Sequence, residues 1–257
     1  MQRTHLTTRI RNGDLVVGCA HVIRDEALTE GLSSVDVDFL LVDMQHVAIG
    51  LESLQRLLVA LQPSDVAALV RVPTNDPVVI GQVLDVGATG IIVPMVNTAG
   101  HAIGAVSAAM YPPAGTRSWG PRRVASFHGD PLDYARFAND NTAVIVQIET
   151  AEAVANVDEI VTAEGVTGVM IGPADLAISM GHMFDRDNPE VHSAIQHVFE
   201  RCQVHGVAGG IFTNDTDRAQ HWISMGATIV NCSSDATFVA EGFRRVAATL
   251  KTPASAG

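Results

Sequence analysis

The sequence predicts a (β/α)8 barrel of the TIM type, an α/β fold in which eight parallel strands close into a cylinder surrounded by helices. The chain has 257 residues, of which 47% are hydrophobic, and this length is typical of one such barrel. Short apolar segments alternate with longer amphipathic ones, as in a βα repeat. The apolar segments are continuous, which is typical of parallel strands covered on both faces. Residues 1–257 are therefore predicted to form one domain, with a short flexible tail at about 252–257.

Eight apolar segments are the candidate strands. They are LVVGCAHV (15–22), DFLLVDM (38–44), AALVRV (67–72), GIIVPM (90–95), AVIVQIE (143–149), GVMIG (168–172), VAGGIF (207–212) and TIVNCS (228–233). An open, doubly wound sheet is the alternative arrangement of such a series. The dinucleotide-binding pattern GxGxxG is absent, however, and eight strands in one uninterrupted series favour closure.

The segments between the strands have helical periodicity and recognisable ends. Residues 51–61 repeat leucine so that one stripe of the helix is apolar. Residues 76–88 begin with Asp-Pro, a common helix start, and residues 188–206 end at a glycine, a common helix end. Two more helices are predicted at 214–227 and 235–251.

Residues 111–142 do not fit the alternation of strands and helices. This segment is too long for a simple connection and is rich in proline, glycine and arginine. Long segments of this kind in compact domains are usually functional or disordered. Since it contains Trp119 and several basic side chains, we expect an ordered loop near the active site.

Composition excludes several classes of protein. The net charge of −12 argues against a nucleic-acid or anionic-membrane partner. Cys19, Cys202 and Cys232 lie far apart without a CxxC pair, so neither a zinc finger nor a disulfide framework is expected. Free thiols suit a reducing cytoplasm. The polar N-terminus lacks the apolar segment of a secretory signal, and no apolar run approaches the length of a membrane span.

Polar side chains follow four of the predicted strands, where the catalytic groups of such barrels lie. They are Asp43 and His46 at the second strand, Arg71 at the third, Gln147 and Glu149 at the fifth, and Asp175 at the sixth, which runs into Gly172, Pro173 and Ala174. Because the carboxyl ends of all the strands meet at one rim, we expect these residues to form one site.

Glu149 and Asp175 are the candidate metal ligands. Two carboxylates at neighbouring strand ends repel each other unless a cation or a proton lies between them. A site with two protein carboxylates suits an oxygen-seeking ion such as Mg²⁺ or Mn²⁺, completed by water or a chelating substrate. In the alternative interpretation, Asp175 is a first-turn carboxylate of a helix and Thr150 caps the helix after Glu149.

His46 and Arg71 are the other candidate catalytic residues. Asp43 could orient the imidazole of His46 and raise its basicity. The guanidinium group of Arg71 ends an apolar strand and requires an anionic partner, which is either structural or the carboxylate of a substrate. The backbone at Gly172, Pro173 and Ala174 opens a helix whose N–H groups could bind the same carboxylate, although a tight turn also explains the glycine.

Six sequence blocks together resemble the HpcH/HpaI family of metal-dependent (class II) pyruvate aldolases, the hydroxy ketoacid or 4-hydroxy-2-oxoheptanedioate aldolases. The blocks are DMQH (43–46), RVPTNDP (71–77), LDVGATGIIVPMVNT (84–98), YPPAGTRSWGPRR (111–123), QIETAEAVANVDEI (147–160) and IGPADLAISMGH (171–182). They follow the order of the family, and the resemblance extends over about residues 15–250.

The resemblance implies a barrel whose last helix is exchanged between subunits of a homohexamer, a trimer of dimers. It also implies a divalent cation, Mg²⁺, Mn²⁺ or Co²⁺, bound by Glu149 and Asp175 and chelated by pyruvate. Arg71 would stabilise the enolate oxygen, while Gln147 and the backbone of Ala174 and Asp175 would contact pyruvate. Reversible cleavage of a 4-hydroxy-2-oxo acid to pyruvate, or hydroxypyruvate, and an aldehyde is the implied activity.

The resemblance also assigns the acid/base chemistry. His46 matches the acid/base residue, and Asp85 would reach across a subunit interface to raise its basicity. Lys251 is the only lysine of the chain and lies in the last predicted helix, so a Schiff-base mechanism is nearly excluded. The alternatives are an oxaloacetate decarboxylase or another 2-oxo-acid lyase on the same site, including a citrate lyase type of enzyme, and a non-catalytic metabolite-binding barrel.

Three departures from the type member of the family affect the substrate. Gln45 replaces a glutamate beside the acid/base histidine. Gly18-Cys19 replaces an aromatic residue, which is expected to widen the aldehyde pocket. The sequence RSWGPRR places Trp119, Arg122 and Arg123 near the mouth of the site, where we expect Trp119 to contact the substrate. A short or hydroxylated aldehyde is therefore expected.

Overall fold

Eight parallel strands form a closed barrel in chain order, β1 to β8, with β8 paired to β1. The computed structural model describes residues 5–183 and 185–251. The strands are β1 (Val16–His21), β2 (Phe39–Asp43), β3 (Ala67–Arg71), β4 (Gly90–Val93), β5 (Ala143–Ile148), β6 (Gly168–Ile171), β7 (Ala208–Thr213) and β8 (Ile229–Ser234). Each coincides with a predicted strand, so the predicted (β/α)8 barrel is confirmed. The predicted tail at 252–257 lies outside the described residues.

Helices connect the strands on the outside of the barrel. They are α1 (His5–Arg11), α2 (Glu26–Leu32), α3 (Leu51–Leu61), α4 (Pro77–Asp85), α5 (Ala99–Ala109), α6 (Arg122–Ala125), α7 (Pro131–Asn141), α8 (Ala151–Ala155), α9 (Val157–Val161), α10 (Pro173–Ser179), α11 (Pro189–His205), α12 (Thr216–Ser224) and α13 (Asp235–Lys251). A helix that follows a strand runs back along the barrel. Its carboxyl end therefore lies at the amino-terminal end of the barrel, opposite the rim formed by the carboxyl ends of the strands.

The core has two apolar layers because the strands are buried on both faces. Alternate residues such as Phe39, Leu41 and Ile145 fill the inside of the barrel, and Leu6 and Ile10 of α1 pack against its amino-terminal end. The intervening residues pack against the helices. Burying one such side chain contributes about 1.5–3 kcal/mol, which explains why the strands have continuous rather than alternating hydrophobicity.

Local sequence signals set the helix ends as predicted. The carboxylate of Asp76 accepts hydrogen bonds from the backbone N–H groups of Val78 and Val79 at 2.9 and 3.0 Å, and Pro77 occupies the first turn of α4. Gly206 ends α11 with a φ of 66°, a left-handed conformation that favours glycine.

The prediction of one ordered loop over residues 111–142 was wrong for much of that segment. Residues Arg122–Ala125 form α6 and Pro131–Asn141 form the three-turn helix α7. The start of α7 repeats the Asp-Pro signal of α4, since Asp130 caps Leu132 N–H at 2.7 Å and Pro131 follows it. The high proline and glycine content concealed this helix.

The last helix, α13, has an apolar face that its own chain leaves exposed. Of its residues only Asp235 is buried. Its exposed apolar side chains are Phe238, Val239, Phe243, Val246 and Leu250. Within residues 5–183 and 185–251, no helix combines the length and the hydropathy that crossing a membrane requires.

Buried cysteines have raised pKa values. All three cysteines are free. Burial raises the pKa of the Cys19 thiol to about 11 and that of Cys202 to about 12. Both thiols are therefore protonated and unreactive at neutral pH.

Gly18 provides a test of packing inside the barrel. A methyl group at Gly18 would overlap the ring and the carbonyl oxygen of Phe39. We therefore expect Gly18→Ala to lower the free energy of unfolding by about 1–3 kcal/mol, as overpacking commonly does. Gly31 in α2 is a matched control, because a methyl group there meets no atom within 4 Å. Gly31→Ala is expected to stabilise the helix by about 0.5–1 kcal/mol. Urea denaturation of both variants measures the difference, and equal effects would contradict the proposed overlap.

Candidate active site

Barrel closure brings the four groups of predicted site residues to the same rim. In the register of β2 with β3, Asp43 pairs directly with Arg71. In the register of β5 with β6, Gln147 pairs with Met170 and lies two residues before Glu149. Gly172 follows the last residue of β6. These side chains, far apart in sequence, therefore share the carboxyl-terminal end of the barrel.

A forked ion pair joins Asp43 to Arg71. Oδ1 of Asp43 accepts a hydrogen bond from Nε of Arg71 at 3.0 Å, and Oδ2 accepts one from Nη2 at 2.6 Å. Both side chains are mostly buried, with 7% of Asp43 and 13% of Arg71 exposed. The anionic partner that Arg71 requires is thus partly supplied by the protein, and this pair fixes the orientation of the guanidinium plane.

The pKa of Asp43 is lowered. Burial acts to raise the pKa of this carboxyl group, but the hydrogen bonds and the positive charge of Arg71 act in the opposite direction. The backbone N–H groups of Gln45 and His46 add to them, at 3.0 and 3.3 Å from Oδ1. The net result is a carboxylate that stays ionised at neutral pH.

Arg71 keeps one terminal nitrogen for a ligand. Among the residues that the structure describes, none is hydrogen-bonded to its Nη1. The guanidinium carbon lies 5.3 Å from the ring centroid of Phe212 on β7, a cation–π distance. The only signal for Phe212 in the sequence is its place at the end of the predicted strand 207–212.

Glu149 is buried at the rim, where 2% of it is exposed. Its Oε1 accepts a hydrogen bond from the backbone N–H of Met95 at 2.7 Å, and its Oε2 accepts one from Nε2 of Gln147. Met95 has a φ of 56°, a left-handed conformation that is strained for a residue with a side chain. Met95 ends the predicted strand 90–95, and nothing in the sequence indicates this role.

The pKa of Glu149 is raised. Burial is the main cause, and the negative charge of Asp175 raises the pKa further. The hydrogen bond from Met95, the positive charge of Arg71 and the hydrogen bond from Gln147 oppose these effects without cancelling them. The environment of Glu149 therefore disfavours its anion unless another positive charge lies nearby.

The residues fit a divalent cation held by Glu149 and Asp175. Asp175 is exposed in the first turn of α10, and its charge acts on the buried Glu149. No group of three or more His, Cys, Asp or Glu side chains suited to a metal ion occurs among the described residues. Two carboxylates leave the remaining positions to water or substrate oxygens, the arrangement that Mg²⁺ and Mn²⁺ accept.

The capping roles considered for this region also occur. Oγ1 of Thr150 accepts a hydrogen bond from Ala153 N–H at 3.0 Å and caps α8, and Asp175 is a first-turn carboxylate of α10. Glu149 itself caps no helix, since its donors are Met95 and Gln147. A position at the start of a helix therefore accounts for Asp175 but not for Glu149.

Gln147 and Gly172 complete the surroundings of Glu149. Oε1 of Gln147 is buried and has no hydrogen-bond partner, which leaves an amide oxygen available to a ligand. A side chain on Gly172 would place its Cβ 3.0 Å from Nε2 of Gln147 and 3.1 Å from Oε2 of Glu149. The absence of a side chain at Gly172 thus permits β6 to approach the carboxylate closely, with Pro173 and Ala174 following in the first turn of α10.

His46 lies at the rim with its side chain exposed. Asp43 binds the backbone N–H of His46, and no hydrogen bond joins it to the imidazole in the described part of the chain. The interpretation that Asp43 orients this imidazole is therefore not what the structure shows. The carboxylate of Asp43 binds the guanidinium group of Arg71 instead, because the two groups form two charge-assisted hydrogen bonds.

Asp85 and Trp119 lie at the opposite end of the barrel from His46 within one chain. Asp85 is the last residue of α4, and its Oδ1 accepts a hydrogen bond from Nη2 of Arg117 at 2.6 Å. Trp119 packs against Tyr111 and Tyr134, with ring centroids 5.3 and 6.1 Å apart. A single chain thus brings Asp85 and the Trp119 segment together but keeps both from the rim.

The expected widening at Gly18 is not observed. The space beside Gly18 is occupied by the ring of Phe39 inside the barrel. The missing side chain therefore accommodates a core residue rather than a substrate.

A closed barrel with ionisable side chains gathered at the carboxyl ends of its strands is the architecture of a barrel enzyme. Residues 23–241 match the family model of the HpcH/HpaI aldolases and citrate lyases. A 5-keto-4-deoxy-D-glucarate aldolase of Escherichia fergusonii is 37% identical over 235 residues, which cover 91% of this chain and 92% of that protein. The chain belongs to the HpcH/HpaI aldolase/citrate lyase family.

Solved structures agree with this assignment. An HpcH/HpaI aldolase/citrate lyase family protein from Burkholderia cenocepacia has a TM-score of 0.93 and 30% identity, covering 97% of this chain and 100% of that one. The citrate synthase SbnG has a TM-score of 0.87 and 31% identity, covering 97% and 98%. The predicted family and the predicted enzyme class, an aldehyde-lyase, are confirmed.

Glu149→Gln tests the cation site without an activity assay. We expect Mn²⁺ to raise the melting temperature of the wild-type protein and not that of the variant, because an added ligand stabilises only a chain that binds it. In EDTA the variant should be at least as stable as the wild type, since an amide avoids the buried charge. The amide group of Gln147 can flip, so that its unpartnered Oε1 accepts a hydrogen bond from the N–H group that the substitution introduces.

The matched control is Glu152→Gln, because Glu152 is exposed in α8. Differential scanning fluorimetry of the three proteins, with and without Mn²⁺, makes the comparison. Equal stabilisation of wild type and Glu149→Gln by Mn²⁺ would place the cation elsewhere.

Proposed function

We propose that this chain is a divalent-metal-dependent aldolase that cleaves a 4-hydroxy-2-oxo acid to pyruvate and an aldehyde. The observation that carries the proposal is the buried Glu149, whose pKa is raised and which lies near the charge of Asp175. Such a carboxylate is costly without a cation. The same rim offers Nη1 of Arg71 to an anionic oxygen of the substrate and the unpartnered amide oxygen of Gln147 to a hydroxyl group of the substrate.

The substrate class follows from the chemistry of aldol cleavage and from the relatives. The named relatives act on 5-keto-4-deoxy-D-glucarate, a diacid with a keto group beside one carboxylate and a hydroxyl group two carbons further. Breaking the bond between the hydroxyl-bearing carbon and the methylene group next to the keto group gives pyruvate and a three-carbon hydroxy-aldehyde acid. We infer a short, hydroxylated acid of this type as the substrate, with hydroxypyruvate as the alternative nucleophile in the reverse direction.

Each rim residue has a role in this cleavage. A divalent cation bound by Glu149 and Asp175 would supply a Lewis acid that polarises the keto group of the substrate. Arg71, oriented by Asp43, directs Nη1 towards the oxygen that gains charge as the carbon–carbon bond breaks. His46 removes the proton of the 4-hydroxyl group, and a proton returned to the terminal carbon gives the methyl group of pyruvate. The backbone N–H at Ala174 would hold the carboxylate of the substrate, and the amide oxygen of Gln147 would accept a hydrogen bond from a hydroxyl group of the substrate.

The complete site is proposed to require a neighbouring subunit. Asp85 and Trp119 lie together at the far end of the barrel, so one surface can present both to the rim of another chain. The exposed apolar side chains of α13 support packing against a partner, as expected for an exchanged helix. We propose a homohexamer arranged as a trimer of dimers, with Asp85 acting on His46 of the adjacent chain.

Metal removal tests the proposed reaction. Pyruvate release from 5-keto-4-deoxy-D-glucarate is followed with EDTA-treated protein, and again after adding Mg²⁺, Mn²⁺ or Co²⁺. We expect EDTA to abolish the activity and the cation to restore it. Glu149→Ala should lose about a hundredfold or more of kcat/KM, since the cation accounts for several kcal/mol of transition-state stabilisation.

The matched control is Glu152→Ala, which removes an exposed carboxylate of α8 and should retain activity. Full activity in EDTA would exclude the proposed mechanism. Oxaloacetate serves as a second substrate. Metal-dependent decarboxylation of oxaloacetate without aldol cleavage would instead favour the alternative, a decarboxylase on the same site.

Co-expression of two inactive variants tests the shared site. His46→Ala and Asp85→Ala each remove one group, so neither variant alone contains an intact site. If Asp85 acts on a neighbouring chain, hybrids recover activity in about a quarter of their sites. Activity of the purified hybrid is compared with that of each variant alone. No recovery, despite hybrids of the correct mass, would show that Asp85 does not act on His46 of a neighbouring chain.

A further inference from the structure

A cavity of about 280 Å³ lies at the amino-terminal end of the barrel, remote from the rim. It is bounded by the end of α4, the start of β4 and the segment that contains α6 and α7. Its apolar wall consists of Leu84, Val124, Phe127, Phe137 and Ala138. None of the residues that line it belongs to the group at the rim.

Arg117 lines this cavity, and its buried guanidinium group has a nitrogen without a hydrogen-bond acceptor. Only 1% of its side chain is exposed. Its Nη2 donates to Asp85, and its guanidinium carbon lies 4.5 Å from the ring centroid of Tyr111. Its Nε is buried and has no hydrogen-bond partner. A buried charge-bearing donor without an acceptor is costly, and a ligand with an anionic oxygen would remove that cost.

Arg123 adds a second positive charge with neutral partners. Its Nη1 donates to the backbone carbonyl of Val86 at 2.9 Å, and its Nη2 donates to Oε1 of Gln62 at 2.6 Å. Burial lowers the pKa of this guanidinium group. In the part of the chain that the structure describes, no carboxylate pairs with Arg123. The second cation of the cavity is thus also poorly compensated.

The lining as a whole favours an anion. It contains two arginines and no aspartate or glutamate, in a chain of net charge −12. Burial lowers the pKa of His128, which also lines the cavity, so its imidazole is neutral at pH 7. The carboxylate of Asp85, which is outside the lining, is already bonded to Arg117.

We propose that this cavity binds a small organic carboxylate with a flat, apolar body. The carboxylate would accept hydrogen bonds from Nε of Arg117 and from Arg123, and the body would pack between Phe127, Phe137 and Ala138. A volume of about 280 Å³ is near the lower limit of ligand pockets and suits a single ring rather than a nucleotide. The binding does not depend on the proposed aldolase activity.

Calorimetric titration with benzoate tests the site. The protein is kept in EDTA, so that a cation bound at the rim cannot account for binding. We expect saturable binding of one benzoate per chain. Benzyl alcohol, which has the ring without the charge, should bind about tenfold more weakly or not at all, because a charge-assisted hydrogen bond contributes at least that factor.

Two variants examine the charge and the space separately. Arg123→Gln removes one cation, and Ala138→Leu fills the apolar end of the cavity. Each is expected to weaken benzoate binding about tenfold or more. The matched control is Arg136→Gln, an equal loss of charge on α7 at a side chain that is 70% exposed, and it should bind benzoate like the wild type. Circular dichroism confirms that each variant is folded.

Three results would overturn the proposal. They are the absence of saturable binding to the wild type, equal binding of benzyl alcohol, and unchanged binding in a folded Arg123→Gln variant. Because the assay measures binding in EDTA, its failure leaves the proposed aldolase activity untouched. Loss of aldolase activity in the metal experiments would likewise leave this result unchanged.

Discussion

The residues at the rim are arranged around the carboxylate of Glu149, whose burial costs free energy. Three features of the backbone and side chains serve it. Met95 adopts a left-handed conformation and directs its N–H at Oε1, and Gln147 donates to Oε2. Gly172 lacks a side chain, which would crowd the side chains of Gln147 and Glu149. These contacts orient the carboxylate but leave its pKa raised. A site that remains electrostatically incomplete in this way is suited to a ligand that brings positive charge.

Two arginine–aspartate pairs occupy the two ends of the barrel and differ in what they leave open. Asp43 binds Arg71 through two hydrogen bonds at the rim, with Nη1 left for a substrate. Asp85 binds Arg117 through one hydrogen bond at the other end, with Nε left unpartnered and buried. In each pair the aspartate holds the guanidinium group in a defined orientation, while a remaining nitrogen can interact with an anion.

Separation of these ends is the reason for proposing that the active site is shared between neighbouring chains. All eight strands run in the same direction. The residues that follow each strand therefore meet at the rim, and the residues that precede each strand meet at the opposite end. Asp85 precedes β4 and can approach His46 only from another chain. The unpartnered apolar face of α13 is consistent with such contacts, since exposed apolar surface of this extent usually marks an interface.

The sequence by itself determined the eight strands, the closed barrel, the family and the set of rim residues. These depend on local periodicity, on helix-end signals such as Asp76 and Gly206, and on motifs contiguous in the chain. Only the tertiary structure decided that Arg71 occupies the Asp43 carboxylate, that Met95 and Phe212 belong to the site, and that Asp85 and Trp119 lie far from it. Those contacts join distant residues, and their geometry depends on how β2, β3, β4, β5 and β7 pack, which no local pattern encodes.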